Sequence, residues 1–284
     1  MARILLVTKT PLLRRLRQDD HARLLQARAL VPDQLEGPAH RHDACLSAVR
    51  TALASHTVRE IRVEDLVPRD AAGIDLVVTV GGDGTVFTAN TLATDAPFLT
   101  VNSDPASSIG HFARATVAQV PDLLAAWSAG RVPIESVPRL RLKTASGTWY
   151  ILNDCLFTST NPAAMTRALL ECPEGREIHR SSGLWIATAA GSTGAIHSAG
   201  CRPVGREGPA LLWQVREAFL MRDGEEAPRF LTGLQDPPRW LKLTPVIPGI
   251  ACYLDGPNIT IPLAPGQVVE FSGEAPPLRL LRPA

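Results

Sequence analysis

The sequence predicts an α/β protein, with a Rossmann-like N-terminal domain over residues 1–136 and a β-rich, sandwich-like domain over residues 137–284. Three observations carry that expectation. Through the first half, apolar runs of strand length alternate with helix-patterned segments, which implies a parallel sheet covered by helices. From about Val137 onward, short β-rich runs follow one another with turn chemistry between them. Proline becomes dense after residue 200, which suits loops and edge strands and disfavours long helices.

Taken in order, residues 2–8 form a β-rich run, and residues 43–55 place Cys45, Val49 and Leu53 at helical spacing. Between them, residues 9–42 are rich in Arg and His and are read as a helix followed by a loop. Residues 58–63 alternate apolar and polar. Residues 75–80 are a continuous apolar run ending at Gly81, as expected for a strand covered on both faces. Residues 96–101 repeat that character, and 117–129 read as a helix closed by Gly130. In the second half, 139–144 and 148–158 flank Ala145-Ser146-Gly147, a hairpin signal. Segments 184–188, 210–219, 240–245, 251–254 and 267–271 continue as short strands, and 278–281 could return to the first domain.

Composition removes several function classes. Apolar residues make up 45% and charged residues 20%, a globular balance. The net charge of +1, from 29 basic and 28 acidic side chains, leaves no electrostatic footprint for nucleic acid. No run approaches the ~20 apolar residues of a membrane span, so no membrane partner is expected. The five cysteines, at 45, 155, 172, 201 and 252, form no Cys-x-x-Cys pair. Buried thiols in a reducing cytoplasm are expected, with neither a disulfide framework nor a protein metal site.

The chemistry concentrates where the apolar run 75–80 meets Gly81-Gly82-Asp83-Gly84-Thr85. Glycines let the backbone turn sharply and approach a bulky ligand closely, and ligands of open α/β sheets sit beyond the C-terminal strand ends. An acid in that place would repel phosphate unless it holds Mg²⁺ or takes a proton from an attacking hydroxyl. The plain structural alternative is a tight strand-to-helix turn with Asp83 as cap. The pattern is neither Walker A nor Gly-x-Gly-x-x-Gly, because no Lys follows and the spacing differs.

Gly81-Gly82-Asp83-Gly84-Thr85 resembles the signature shared by NAD kinases, diacylglycerol and sphingosine-type lipid kinases and, more loosely, phosphofructokinases. Later segments narrow the resemblance to NAD kinases, most closely the mitochondrial type. These are Thr100-Val101-Asn102-Ser103-Asp104-Pro105 with Ile109-Gly110-His111-Phe112, then Asn153-Asp154, then Ser181-Ser182-Gly183-Leu184. Thr188, Gly191-Ser192-Thr193-Gly194, Val215-Arg216-Glu217 and Tyr253-Leu254-Asp255-Gly256 follow in family order.

The resemblance implies transfer of the terminal phosphate of ATP, with Mg²⁺, to the 2′-hydroxyl of the adenosine ribose of NAD. Asp83 would be general base or metal organiser. Gly81, Gly82, Gly84, Thr85, Asn102, Asn153, Asp154, Thr193 and Ser198 would bind nucleotide, Asn153 and Asp154 on the adenosine side. It also implies a homodimer or larger homo-oligomer. Four departures fall on the dinucleotide motifs. Ser182 stands where most members carry Asp, Ala189-Ala190 replaces Pro-Thr, Gly194-Ala195 replaces Ala-Tyr, and Asp154 replaces Glu. Two other readings stay open: a lipid or small-molecule kinase, and a non-catalytic dinucleotide-binding sensor. Against the lipid kinase, Val86-Phe87 follows the glycine loop where such enzymes usually carry Asn-Glu.

Overall fold

The computed structural model describes residues 1–205, 211–219, 228–235 and 240–283. The chain divides into two compact units, one of residues 1–136 with 279–284, the other of residues 137–278. In chain order the first runs β1 (Arg3–Thr8), α1 (Leu12–Arg15), α2 (Gln18–Gln26), α3 (Pro32–Ala52), β2 (Thr57–Arg62), β3 (Leu76–Gly81), α4 (Asp83–Ala89), β4 (Phe98–Asn102), α5 (Val120–Ser128) and β5 (Ile134–Val137). The second contributes β6 (Leu140–Thr144), β7 (Gly147–Ile151), β8 (Asp154–Ser159), β9 (Thr166–Cys172), β10 (Gly175–Ser181) and β11 (Leu184–Ala187). It continues with α6 (Ala195–Ser198), β12 (Leu211–Val215), β13 (Thr232–Gln235), β14 (Trp240–Pro245), β15 (Ile250–Leu254), β16 (Ile259–Leu263) and β17 (Val269–Ser272). The last strand, β18 (Leu278–Leu281), belongs to the sheet of the first unit.

That first sheet has the order β2-β1-β3-β4-β18-β5, with β1 parallel to both β2 and β3 and β4 parallel to β3 and β18. Every residue of β3 is buried, as a strand covered on both faces requires. Edge strand β2 is exposed along most of its length. Helix α3 and its cap residue Leu53 lay Cys45, Leu46, Val49 and Leu53 against Ile4, Leu6, Leu76 and Val78, so this apolar stripe builds the core on its side of the sheet. The expected loop before residue 43 is instead the first half of α3, which begins at Pro32 and runs through Pro38. Proline inside a helix removes one backbone hydrogen bond and reads as a breaker. Here favourable placement of Pro32 at the helix start and packing of the second half outweigh it.

The second unit is a sandwich of two antiparallel sheets, ordered β10-β9-β14-β17-β6-β7 and β13-β12-β11-β8-β15-β16. Inward-facing Leu140, Leu142, Leu170, Leu243 and Phe271 from one sheet meet Phe157, Ile186, Trp213 and Cys252 from the other. Pro262 sits in edge strand β16, where its missing N–H breaks no ladder. The segment 148–158 is not one strand. It breaks at Leu152-Asn153, where the chain passes from one sheet to the other. Strands β9 and β10 escaped the sequence pattern because β10 alternates charged residues with buried His179 and Ser181 rather than with aliphatics. Of the expected strand 210–219, residues 211–215 form β12, and Ala210 lies outside the described residues.

All five cysteines are buried and free. Among the described residues no helix is long and apolar enough to cross a membrane.

Phe157 is fully buried between the two sheets. Phe157→Ala should lower the stability of the second unit by about 3–5 kcal/mol, read as a shift of its urea midpoint. A shift of under about 1 kcal/mol would mean that the sandwich core is not packed as described.

Candidate active site

The glycine loop begins where β3 ends. A side chain at Gly81 would place its Cβ 2.0 Å from Thr85 Oγ1, so buried Thr85 can pack there only against glycine. Gly82 is the cap residue of α4, and Asp83 is its first helical residue. No side chain caps this helix, and the Asp83 carboxylate turns to another segment. Its Oδ1 accepts the backbone N–H groups of Phe112 at 2.7 Å and Ala113 at 2.9 Å, and its Oδ2 accepts that of His111 at 2.8 Å. Three amides in series thus clamp residues 111–113 onto the glycine loop. By lone-pair count, Oδ2 retains the spare acceptor position. Gly84 is exposed and has open space where a side chain would stand.

Asn102, the last residue of β4, shapes the turn that carries those amides. Its Nδ2 donates to the Ser108 carbonyl at 3.2 Å, and its Oδ1 accepts the Asp104 N–H at 3.0 Å. Gly110 takes φ +65°, and a Cβ there would lie 2.6 Å from the Ala113 carbonyl. Only glycine fits. Asp104 is buried under this turn and receives Arg41 of α3 through two nitrogens, at 2.6 and 3.3 Å. Burial opposes its ionisation, but the hydrogen bonds from Arg41 and Ser107 outweigh that and hold the carboxyl below its ordinary value. Ile109, at the tip of the turn, is 99% exposed.

A second constellation lies in the second unit. Asp255 is buried after β15, and its carboxylate accepts the N–H groups of Leu152 at 2.9 Å, Asn153 at 2.7 Å and Asp154 at 3.1 Å. Those bonds hold the break between β7 and β8. Thr188 braces the same turn, donating its hydroxyl to the Leu152 carbonyl at 2.8 Å and its N–H to the Asn153 carbonyl at 3.0 Å. Gly191 fits against that carbonyl so closely that a Cβ would lie 2.0 Å from the oxygen. Asn153 Nδ2 donates to Asp154 Oδ2 at 3.0 Å. Gly194 approaches both side chains, and a Cβ there would stand 3.2 Å from Asn153 Nδ2 and 3.5 Å from Asp154 Oδ2.

Of the hydroxyls in this motif, Ser192 is buried and bonds the Val204 backbone through both its N–H and its carbonyl. Thr193 and Ser198 are exposed. Neither Ser192 nor Thr193 caps α6, whose cap residue is Gly194. The structure therefore gathers Gly81, Gly82, Asp83, Gly84, Thr85 and Asn102 in one constellation. It gathers Asn153, Asp154 and Gly194 in the other, with Thr193 and Ser198 on the adjoining short helices. No local pattern in the sequence marks a task for Arg41, Thr188 or Asp255. Asp255-Gly256 at a strand end was visible, but its partners stand about a hundred positions away and nothing local pairs them.

The two carboxyls of the second constellation differ from ordinary aspartates. Burial pushes Asp154 up to about 6, against the opposing hydrogen bond from Asn153. Burial pushes Asp255 up to about 7, although three backbone amides favour its ionised form. Between about pH 4 and pH 7, the folded chain therefore holds a proton on Asp255 that the unfolded chain has released. The stability this contributes is present below about pH 4 and is lost as pH rises to about 7. Asp255→Asn leaves buried amide donors poorly matched and should cost about 1–3 kcal/mol. That deficit, from urea midpoints, should be larger at pH 5 than at pH 8. An equal deficit at both would contradict the raised carboxyl.

Comparison with known proteins identifies the family. Residues 22–132 match the family model described as the ATP-NAD kinase N-terminal domain. A probable NADH kinase of Oryza sativa subsp. japonica is 32% identical over 234 residues, covering 74% of this chain and 71% of the relative. An NADH kinase of Arabidopsis thaliana is 32% identical over 239 residues, covering 73% and 72%. In fold, the chain is similar to an NAD kinase from Archaeoglobus fulgidus solved in complex with ATP, with a TM-score of 0.65, 17% identity and coverage of 99% and 93%. It is also similar to yeast NADH kinase complexed with NADH, with a TM-score of 0.69, 15% identity and coverage of 100% and 84%. The chain belongs to the NAD kinase family and is a phosphotransferase with an alcohol group as acceptor.

Proposed function

We propose that this chain transfers the terminal phosphate of ATP to the 2′-hydroxyl of the adenosine ribose of NAD(H), giving NADP(H). The observation that carries the reading is Asp83, fixed by three amides on a glycine loop at the C-terminal end of a buried parallel strand, with a spare acceptor position on Oδ2. In this role Oδ2 takes the proton of the attacking hydroxyl, while Gly81, Gly82, Gly84 and Thr85 let phosphate approach the backbone. Asn102 shapes the turn that orients the Asp83 clamp. Asn153 and Asp154 take the adenosine side of the dinucleotide, with the ionised Asp154 accepting ribose hydroxyls. Thr193, next to Gly194, and Ser198, at the end of α6, offer exposed hydroxyls.

Among the described residues no group of three or more His, Cys, Asp or Glu could cage a metal ion. The family resemblance supports Mg²⁺ carried by the triphosphate, with Asp83 as the side chain that would touch it. Bound so, Mg²⁺ would neutralise charge on the phosphates. The free, buried thiols suit a reducing compartment such as the cytoplasm, and the family resemblance supports a homodimer.

The plant relatives are named NADH kinases, and we extend that preference to this chain. The reacting 2′-hydroxyl is the same in both redox forms. Discrimination should therefore appear in KM for NADH against NAD and leave kcat within about threefold. A strong preference expressed in kcat alone would overturn this. A lipid acceptor is disfavoured because Val86-Phe87 follows the glycine loop where lipid kinases of this type usually carry Asn-Glu.

Asp83→Asn should lower kcat for NADP(H) formation from NAD(H), ATP and Mg²⁺ by roughly 10²–10⁴-fold, the usual contribution of a general base. Near-parental turnover would remove Asp83 from the chemistry. If neither protein turns over while the parent still binds NAD(H) by calorimetry, the altered-acceptor or sensor readings take over.

A further inference from the structure

One strand away from the glycine loop, the C-terminal ends of β1 and β2 carry basic side chains that the phosphotransfer reading does not use. Strand β1 lies between β2 and β3, so the chain leaves it on one side and later returns on the other. The ligand crevice of such a reversal lies between β1 and β3, whereas these basic groups stand on the β2 side of β1. There α3 presents His42, Leu46 and Arg50 at four-residue spacing, on one face. They meet Lys9, just past β1, and Arg62, at the end of β2, around a cavity of about 70 Å³. That is far below the roughly 300–1,000 Å³ of a pocket that swallows a nucleoside-sized ligand. It suits a small, compact group.

Its charges are only partly satisfied. Arg50 is held by Glu60 through two nitrogens, at 2.8 and 2.6 Å, and Arg14 by Asp43. Among the described residues no carboxylate lies within ion-pairing distance of Lys9 or Arg62. Lys9 is half-buried, and burial holds its ammonium below the ordinary lysine value even though Asp104 opposes the shift. His42 is 1% exposed, and burial, aided by the charge on Lys9, lowers it to about 4, so its ring is neutral at pH 7. His42 Nε2 lies 3.1 Å from Thr8 Oγ1, while its Nδ1 has no partner. When the Thr8 hydroxyl donates to Nε2, the ring proton sits on the unpartnered Nδ1 and is available as a donor.

We propose that this cavity is a second anion site, which takes one tetrahedral oxyanion, either inorganic phosphate or the phosphate of a monoester. Lys9 and Arg62 supply the charge, and His42, in the tautomer protonated on Nδ1, supplies a neutral donor. A phosphate would accept from all three, and the one carboxylate in the cavity lining, Glu60, is already engaged by Arg50. The site is distinct from the glycine loop, although Lys9 also donates its backbone N–H to the Val80 carbonyl, directly before Gly81, at 3.3 Å.

The test titrates inorganic phosphate, and separately methyl phosphate, into the full chain and follows ³¹P line broadening at pH 7 without nucleotide. Three variants run beside the parent: Lys9→Met with Arg62→Met, the charge-keeping Lys9→Arg with Arg62→Lys, and Asp83→Asn. The expected result is at least tenfold weaker binding in the Met pair. Near-parental binding is expected in the charge-keeping pair and in Asp83→Asn. Binding of both probes would mark the site as open to monoesters, and binding of phosphate alone would mark the free ion; either supports it. Parental binding that survives in the Met pair, or no binding to the parent at 10-fold molar excess over typical millimolar cellular phosphate, overturns the proposal. Kinase activity measured in phosphate-free buffer reports on the proposed reaction separately, so failure of one reading leaves the other standing.

Discussion

Both halves of this molecule depend on one interaction: a buried or half-buried aspartate that accepts three consecutive backbone amides. Asp83 receives residues 111–113, and Asp255 receives residues 152–154. A run of amides in an irregular turn has no ladder to satisfy it, and leaving such groups unpaired away from water is costly. One carboxylate satisfies three of them and so fixes a turn that hydrophobic packing alone would leave loose. The sheets supply rigid strand ends, and the carboxylates decide which way the chain leaves them.

The two clamps differ in electrostatic setting, and that difference suits different tasks. Asp83 is half-buried beside exposed Gly84, open to an incoming group. Asp255 is sealed, and burial pushes its carboxyl up despite the same number of amide donors. One clamp is therefore available for chemistry while the other holds Asn153 and Asp154 in place. Around each, glycines mark the close approaches: Gly81 under Thr85, Gly110 under the Ala113 carbonyl, and Gly191 under the Asn153 carbonyl.

How much of this was legible in the sequence follows from the range of the forces involved. The buried strand β3, the glycine loop and the parallel first sheet were readable because each rests on local patterns of apolar residues and turn formers. Helix α3 was cut short because Pro38 argues locally for a break, whereas packing against the sheet decides otherwise. The continuous strand expected over 148–158 is broken at Asn153 by Asp255, a partner about a hundred residues away. Arg41 on Asp104 belongs to the same class. Local pattern locates the candidate site; contacts distant in sequence shape it.

The place of β18 in the first sheet has a consequence for how the chain comes to be folded. Residues 278–281 lie between β4 and β5, and β5 ends at Val137. During synthesis the ribosome delivers β1 to β5 long before β18, with the whole sandwich made in between. The first sheet must therefore wait, with β4 an unpaired edge and β5 lacking its neighbour, through the translation of about 140 residues. At about 5–20 residues per second this lasts on the order of ten seconds or more. An open edge held that long is exposed to association with other nascent chains, so this protein's yield in a cell should depend on holdase chaperones more than its final stability suggests.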